Sequence, residues 1–302
     1  MFLRSVTRRC NLTSLTNSYN SAKELSKWGS DRSPAKGVLR IPREDMKPIS
    51  TLHESKQIIV AGRNRCNKFL SNQFMIASKT TREAILIDAS DDWMDDWAMF
   101  FNSSGLTLKY CFLTHCHIDN IINLNPLMQL IPDTKIAWCS ADQYWVKEFP
   151  RACERYHRFE MKNAPLPMAR HRPQDLRLTM ASDRSTSFLA LGNTLLFHIS
   201  TPGHSPGHMV LSVPQEKLLF SGDLIFDEGI GRVDLPYGNG AHLAQSLRML
   251  EDIPDNTVIL PGHGRLTTMG KERKKNRGLQ RVYEMMKVGR QEPSVGFNYG
   301  YF

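Results

Sequence analysis

The chain has 302 residues, 41% of them hydrophobic and 23% charged, with a formal net charge of +9. That length allows one large domain or two small ones with a substantial core, and the composition excludes a collagen-like, mucin-like or wholly disordered protein. No apolar run approaches the roughly 20 residues that cross a bilayer, and six cysteines without a C-x-x-C pair point to a reduced protein rather than a disulfide scaffold.

The first segment, residues 1–23, carries Arg4, Arg8, Arg9 and Lys23, is rich in Ser and Thr and has no acid. This composition predicts a mitochondrial transit peptide and residence in the matrix. Residues 24–56, with Gly29, Pro34, Gly37, Pro42 and Pro48, read as a linker. From Gln57 the pattern becomes that of a folded domain over 57–280. QIIVAG, NQFMIAS and EAILIDAS are β-rich runs separated by polar residues, the last two reading as antiparallel strands. Trp93 to Phe101 predicts a helix that stops near Gly105, and LKYCFLTH a strand running into a cluster of His and Asp. Residues 121–130 look helical but interrupted by Pro126, and KIAWCS is a further short strand.

Residues 144–177 form a basic insertion within a polar, proline-broken stretch, 141–180, that predicts short helices in a long loop. SFLALGNTLLFHIST predicts a hairpin turning at Gly192-Asn193, and HMVLSVPQEKLLFSGD a second hairpin turning around Pro214-Gln215. His242 to Leu250 predicts a helix, TVILPGHG a last strand, and 281–302 a basic, aromatic C-terminal tail. Strands dominate, with helices between them, which points to an α+β domain of stacked sheets covered by helices.

The basic excess sits in the N-terminal segment, the insertion and the residues after 271, so the remaining core is mildly acidic. This weakens the case that the whole fold is shaped around a nucleic acid. Arg155, Arg158, Arg170, Arg172, Lys274 and Lys275 are the residues that would contact phosphates if RNA or an RNA–protein assembly is a partner.

Four short stretches carry the chemistry: Thr114 to Asn120, Thr201 to His208, Ser221-Gly222-Asp223 and Pro261 to Gly264. Each follows an apolar strand or lies in a Gly/Pro turn, where a rigid scaffold can aim side chains at one point. His115 and His117 are two apart, so in extended backbone they share a side and can share a metal. His204 is the natural third imidazole, leaving an open position for water. Asp119 and Asp223 add carboxylates and His263 another imidazole. Cys116, between two same-side histidines, should face the opposite way into packing.

These motifs resemble the metallo-β-lactamase superfamily, with its H-x-H-x-D-H, H, D, H series, and most closely its short, glyoxalase II-like hydroxyacylglutathione hydrolases. The resemblance runs from about Gln57 to Leu279 and includes ILIDAS, TPGHSPGH, FSGDLIFDEGIGRVDLPYGN and LPGHGRLTTMGKERKKN. It implies an αββα four-layer sandwich with a metal site at one edge of the sheets. It also implies that His115, His117 and His204 hold a first metal, that Asp223 bridges, and that Asp119 and His263 belong to a second. The family's histidine is replaced here by Asn120, whose amide oxygen is a poorer ligand. One tightly held metal and a weakened second site are therefore expected, with zinc the first choice and iron or manganese alternatives. Asp88 and His208 are expected to support ligands by hydrogen bonds rather than to bind metal.

The activity implied is hydrolysis of a thioester of the hydroxyacylglutathione type. A bound metal supplies hydroxide near neutral pH, and Asp119, freed from the weak second site, would position the attacking water. Two alternatives share the resemblance. A mononuclear-iron persulfide dioxygenase would carry a PAHD-like last motif and a cysteine in the third turn, where this chain has PGHG and His208. A non-catalytic scaffold in a mitochondrial RNA–protein assembly would use the basic insertion and tail. The resemblance to the short type leads us to expect no helical glutathione-binding domain of the kind long glyoxalase II enzymes carry after the last motif, so glutathione specificity is not expected to follow from the resemblance.

Overall fold

The computed structural model of the protein describes residues 43–158 and 186–289. The expected transit peptide 1–23, Arg170, Arg172 and the aromatic end of the tail lie outside the described residues. The strands are β1 (Ser50–Glu54), β2 (Ile58–Arg63), β3 (Gln73–Ser78), β4 (Glu83–Ile87), β5 (Thr107–Phe112), β6 (Lys135–Ala137), β7 (Thr186–Leu191), β8 (Thr194–Ser200), β9 (Met209–Val213), β10 (Leu218–Gly222), β11 (Ile225–Phe226), β12 (Gly229–Ile230), β13 (Val258–Pro261) and β14 (Thr267–Thr268). The helices are α1 (Met94–Ser104), α2 (Ile118–Ile121), α3 (Leu124–Leu130), α4 (Gln143–Arg158), α5 (Gly240–Arg248), α6 (Met269–Lys275) and α7 (Arg277–Gly289).

Two six-stranded sheets run β1-β2-β3-β4-β5-β6 and β14-β13-β10-β9-β8-β7. The first is antiparallel from β1 to β4 and parallel from β4 to β6. The second pairs β10 in parallel with β13 and is otherwise antiparallel. Alternation along each strand decides the layers. Ile58, Val60, Phe74, Ile76, Ile85 and Ile87 face the gap between the sheets, where they meet Leu211, Val213, Leu218, Phe220 and Leu260. Their neighbours Ile59, Ala61, Met75, Ala77, Ala84 and Leu86 face out against Trp97, Phe101, Leu127 and Phe149 of the first helical layer. Across the molecule, Val210, Leu219 and Ile259 pack on Leu243, Leu247 and Leu279 of the other helical layer. The result is the αββα sandwich the resemblance implied, and strands buried on both faces explain why their sequences read as continuous apolar runs.

Three local expectations change. β1 pairs along β2, so the sheet begins at Ser50, inside the stretch read as linker. Pro126 does not break a helix but sits in the first turn of α3 after the short α2, where a missing N–H costs little. The stretch read as short helices opens instead as one 16-residue helix, α4, with Pro150 inside it. Phe149 and Cys153 are buried and Trp145 and Val146 pack against the same core. This one-face apolar stripe stabilises the helix despite the proline. The hairpin turns fall where expected, at Gly192, φ 60°, and over Pro214–Glu216. Helix α1 stops at Gly105, which caps it in the left-handed conformation.

Candidate metal centre

β5 delivers the chain to Thr114 and His115 at one end of the first sheet. The turn between β8 and β9 brings His204 to the same end. His115, His117 and His204 are all buried, and one nitrogen of each lies within 4.8 Å of the others. Nδ1 of His117 is 2.9 Å from Nε2 of His204. Their rings stand nearly perpendicular to one another, with centroids 4.6–4.8 Å apart. Burial and the neighbouring imidazoles push His115 well below the usual histidine range. Burial and then His204 bring His117 down to about 3. Neutral imidazoles keep the lone pairs a metal requires.

The second cluster abuts the first. Asp223, at the end of β10, places Oδ2 3.3 Å from His204 Nε2 and 3.7 Å from His263 Nε2. His263, after β13, has its Nε2 3.0 Å from Asp119 Oδ2, and Ser71 Oγ donates to the same oxygen at 3.3 Å. Burial alone would raise Asp119, but the hydrogen bond and charge of His263 outweigh it and hold it ionised, below its ordinary value. Against the cost of burial, Asp223 and Asp119 hold His263 above its own. Burial dominates at Asp223 and raises it. The structure thus gathers all six residues expected to ligate, with Asp223 between the two halves.

The supporting residues have definite tasks. The Asp88 carboxylate accepts from the Thr114 N–H at 2.7 Å and from Thr114 Oγ1 at 3.0 Å, and Thr114 Oγ1 lies 3.1 Å from His115 Nδ1. His208 accepts the Asp223 N–H on Nε2 at 3.0 Å. Its Nδ1 therefore carries the proton and donates to Thr201 Oγ1 at 2.8 Å. It orients Asp223 and is not a ligand. Gly222, φ 47°, is required beside it, because a Cβ there would lie 2.8 Å from His208 Nε2. His204 Nδ1 donates to the Arg232 carbonyl at 2.8 Å, which leaves Nε2 for metal.

Asn120 is buried with its carboxamide nitrogen 2.7 Å from His115 Nδ1 and 3.4 Å from Thr114 Oγ1. It braces the His115 ring. Cys116 faces the helix-side core as alternation predicted.

Sequence reasoning missed Asp142. Its buried carboxylate accepts from the Cys116 N–H at 2.9 Å, the Gly207 N–H at 2.6 Å and Ser205 Oγ at 2.9 Å. It ties the loop of His115 and His117 to the loop of His204. Asn72 was also missed: its N–H donates to the Gly262 carbonyl at 2.7 Å and its side chain to the Pro261 and Gly264 carbonyls, fixing the His263 turn. Neither has a motif, since each partner is remote in sequence. Of the candidate RNA-contacting residues, Lys274 and Lys275 are exposed on α6, and Arg155 and Arg158 lie in the last turn of α4.

The residues present fit a metal. Asp223 Oδ1 and His117 Nε2 are buried without a hydrogen-bond partner, and an orphaned carboxylate oxygen beside a cluster of buried imidazoles is costly unless a cation completes it. Imidazole nitrogen with carboxylate oxygen is a donor set for zinc or iron.

A four-layer αββα sandwich with such a cluster at its sheet edge defines a metallohydrolase-type protein. The family profile of the metallo-beta-lactamase superfamily matches residues 67–263, and the chain belongs to that superfamily. It is similar to the hydroxyacylglutathione hydrolase GloC of Haemophilus influenzae, 32% identical over 177 residues, covering 57% of this chain and 76% of that protein. It is similar also to the hydroxyacylglutathione hydrolase of Bartonella henselae, 31% identical over 157 residues, covering 52% of this chain and 49% of that protein. Among solved structures, the BLEG-1 B3 metallo-beta-lactamase superposes with a TM-score of 0.61 at 25% identity, covering 73% of this chain and 99% of that one. TTHA1623 in a di-iron-bound form gives 0.56 at 28% identity, covering 69% of this chain and 94% of that one.

Proposed function

We propose that the protein is a metal-dependent hydrolase of thioesters of the hydroxyacylglutathione type. The observation that carries this is the buried cluster of His115, His117 and His204 with Asp223 leading from it to Asp119 and His263. The two hydroxyacylglutathione hydrolases at about 30% identity support the substrate class.

His115, His117, His204 and Asp223 would hold the metal tightly, and Asp119 with His263 would hold a second one weakly. A bound ion would bring the pKa of a water to about 7 and offset charge developing on the substrate's carbonyl oxygen. The chain's own residues supply the rest. Asp119, kept ionised by His263 against the cost of burial and hydrogen-bonded by Ser71, is placed to accept a hydrogen bond from the attacking water and orient it. His208 and Thr201 keep Asp223 in register, and Asp88 through Thr114 fixes His115. Departure of the thiol needs little acid assistance, because its conjugate acid has a pKa of about 8.5.

Metal analysis of the purified protein, with turnover of S-lactoylglutathione and a panel of other thioesters, tests the proposal. His115→Ala and Asp223→Asn should lose bound metal and lower turnover by at least about a hundredfold. A metal-loaded protein that cleaves no thioester in the panel would sink it.

A further inference from the structure

One side of the centre continues outward as an aromatic wall that neither the metal nor the proposed hydrolysis needs. Trp145 on α4 sets its ring edge-on to His117, centroids 4.4 Å apart at 87°. Tyr144 packs on Trp145 at 5.3 Å, and Tyr237 on Tyr144 at 4.6 Å. Exposure rises along the series, from buried His117 through half-buried Trp145 to Tyr144 at 36% and Tyr237 at 62%. The rings therefore run from a ligand to solvent. A core cluster would not leave its largest members this open.

Tyr237 is held there at a cost. Its φ of 64° lies in the left-handed region that a bulky side chain rarely adopts. The loop carrying it is pinned to the centre at both ends: the Arg232 carbonyl accepts from His204 Nδ1, and the Asn239 N–H donates to the Gly203 carbonyl at 2.7 Å. The loop that fixes a metal ligand thus also presents an exposed tyrosine face. Arg232 in this loop is bound two-fold by Asp234, at 2.6 and 2.7 Å, and the rings themselves offer π-faces.

We infer that Trp145, Tyr144 and Tyr237 form an acyl-group subsite selecting thioesters with a planar or aromatic acyl group. This rests on the proposed hydrolase reading and names its substrate class further. With the carbonyl held beside His117, an acyl substituent directed toward Trp145 would extend along the rings. The thiol side is the poorer fit if it is glutathione, whose two carboxylates and ammonium need charged partners that an aromatic wall lacks. A small hydroxyacyl group reaches Trp145 at most and gains nothing from the tyrosines.

The test holds the thiol constant and varies the acyl group, comparing S-lactoylglutathione with S-mandeloylglutathione on the metal-loaded full chain. The wild type should favour the aromatic substrate in kcat/KM. Tyr237→Ala and Tyr144→Ala should lower kcat/KM for it by several-fold to about tenfold and leave the lactoyl value within about twofold. Tyr237→Phe should behave as the wild type, since the ring face and not the hydroxyl is used. Calorimetric binding of S-benzylglutathione, a thioether that cannot be hydrolysed, provides a readout independent of turnover and should weaken by a similar factor in Tyr237→Ala. Absence of thioester cleavage with intact, tyrosine-dependent binding would remove the hydrolase reading and keep the subsite. Equal losses for lactoyl and mandeloyl substrates, or thioether binding indifferent to Tyr237 and Tyr144, would overturn the subsite.

Discussion

Asn120 shows how one substitution redistributes a site. The histidine that the family places there would complete a second metal position. The amide instead lies against His115 and Thr114, leaving Asp119, Asp223 and His263 as the second set. Loss of one good ligand should weaken that position by well over tenfold, since even hydrogen-bond partners of ligands affect affinity ~10–100-fold. The purified protein is expected to hold one metal per chain after dialysis, and Asn120→His close to two, measured by elemental analysis. Two tightly held metals in the unmodified protein would defeat this account. Asp142 makes a complementary prediction. Asp142→Asn keeps the shape but turns an NH2 toward donors, so at least one buried N–H or hydroxyl loses its acceptor, at a cost of about 1–3 kcal/mol. Both histidine loops should loosen together, with a lower denaturation midpoint and metal affinity reduced by roughly tenfold or more.

At the scale of an element, β8 carries a histidine that the site does not use. His198 faces the gap between the sheets, 1% exposed, near Phe112, with both ring nitrogens lacking a partner. Burial lowers its pKa below the ordinary 6.5. Above pH 6.5 the folded and unfolded chains are both neutral at this position and it imposes no pH dependence. As pH falls below 6.5, the unfolded chain takes up a proton that the folded one resists, so stability declines. His198→Leu, close in size and without unpaired nitrogens, should be neutral or slightly stabilising at pH 8. Its advantage should widen as the pH is lowered to 5. Chemical denaturation of both proteins at the two pH values checks this. The buried metal-site histidines contribute the same background to each, so the difference isolates His198. A gap between the two proteins that does not widen on acidification would show that His198 is satisfied in the folded state.

For the molecule as a whole, the site and the sandwich stabilise one another. Residues from both sheets converge on the centre: His115 and His117 follow β5, while His204, Asp223 and His263 follow strands of the second sheet. A metal joining them staples the sheets together at one edge. Stabilisation by a bound ligand is about 2.7 kcal/mol when its free concentration is 100 times its Kd. Treatment with a strong chelator should therefore lower the thermal midpoint by several degrees, and zinc or iron(II) should restore it. His115→Ala should show a low midpoint indifferent to chelator. A chelator-insensitive wild type would mean that the cluster closes without metal.

The sequence by itself determined a good deal of this. Apolar runs of four to six residues ending in His, Asp or Gly/Pro turns gave the strands and placed the chemistry at their ends, because side-chain period and turn chemistry are local properties. The H-x-H spacing placed His115 and His117 together for the same reason. It could not settle how Pro126 and Pro150 are tolerated, since that depends on which turn of a helix receives each and on the core it covers. Nor could it show β1, a short edge strand whose place is decided by pairing with β2. The tertiary structure alone decided that Asp142 joins two ligand loops, that Asp223 is the ligand His208 supports, and that Asn120 braces His115. Each of these is a hydrogen bond between groups remote in the chain or turned toward one another by the fold, and a buried polar group finds its partner only after the sandwich has closed around it.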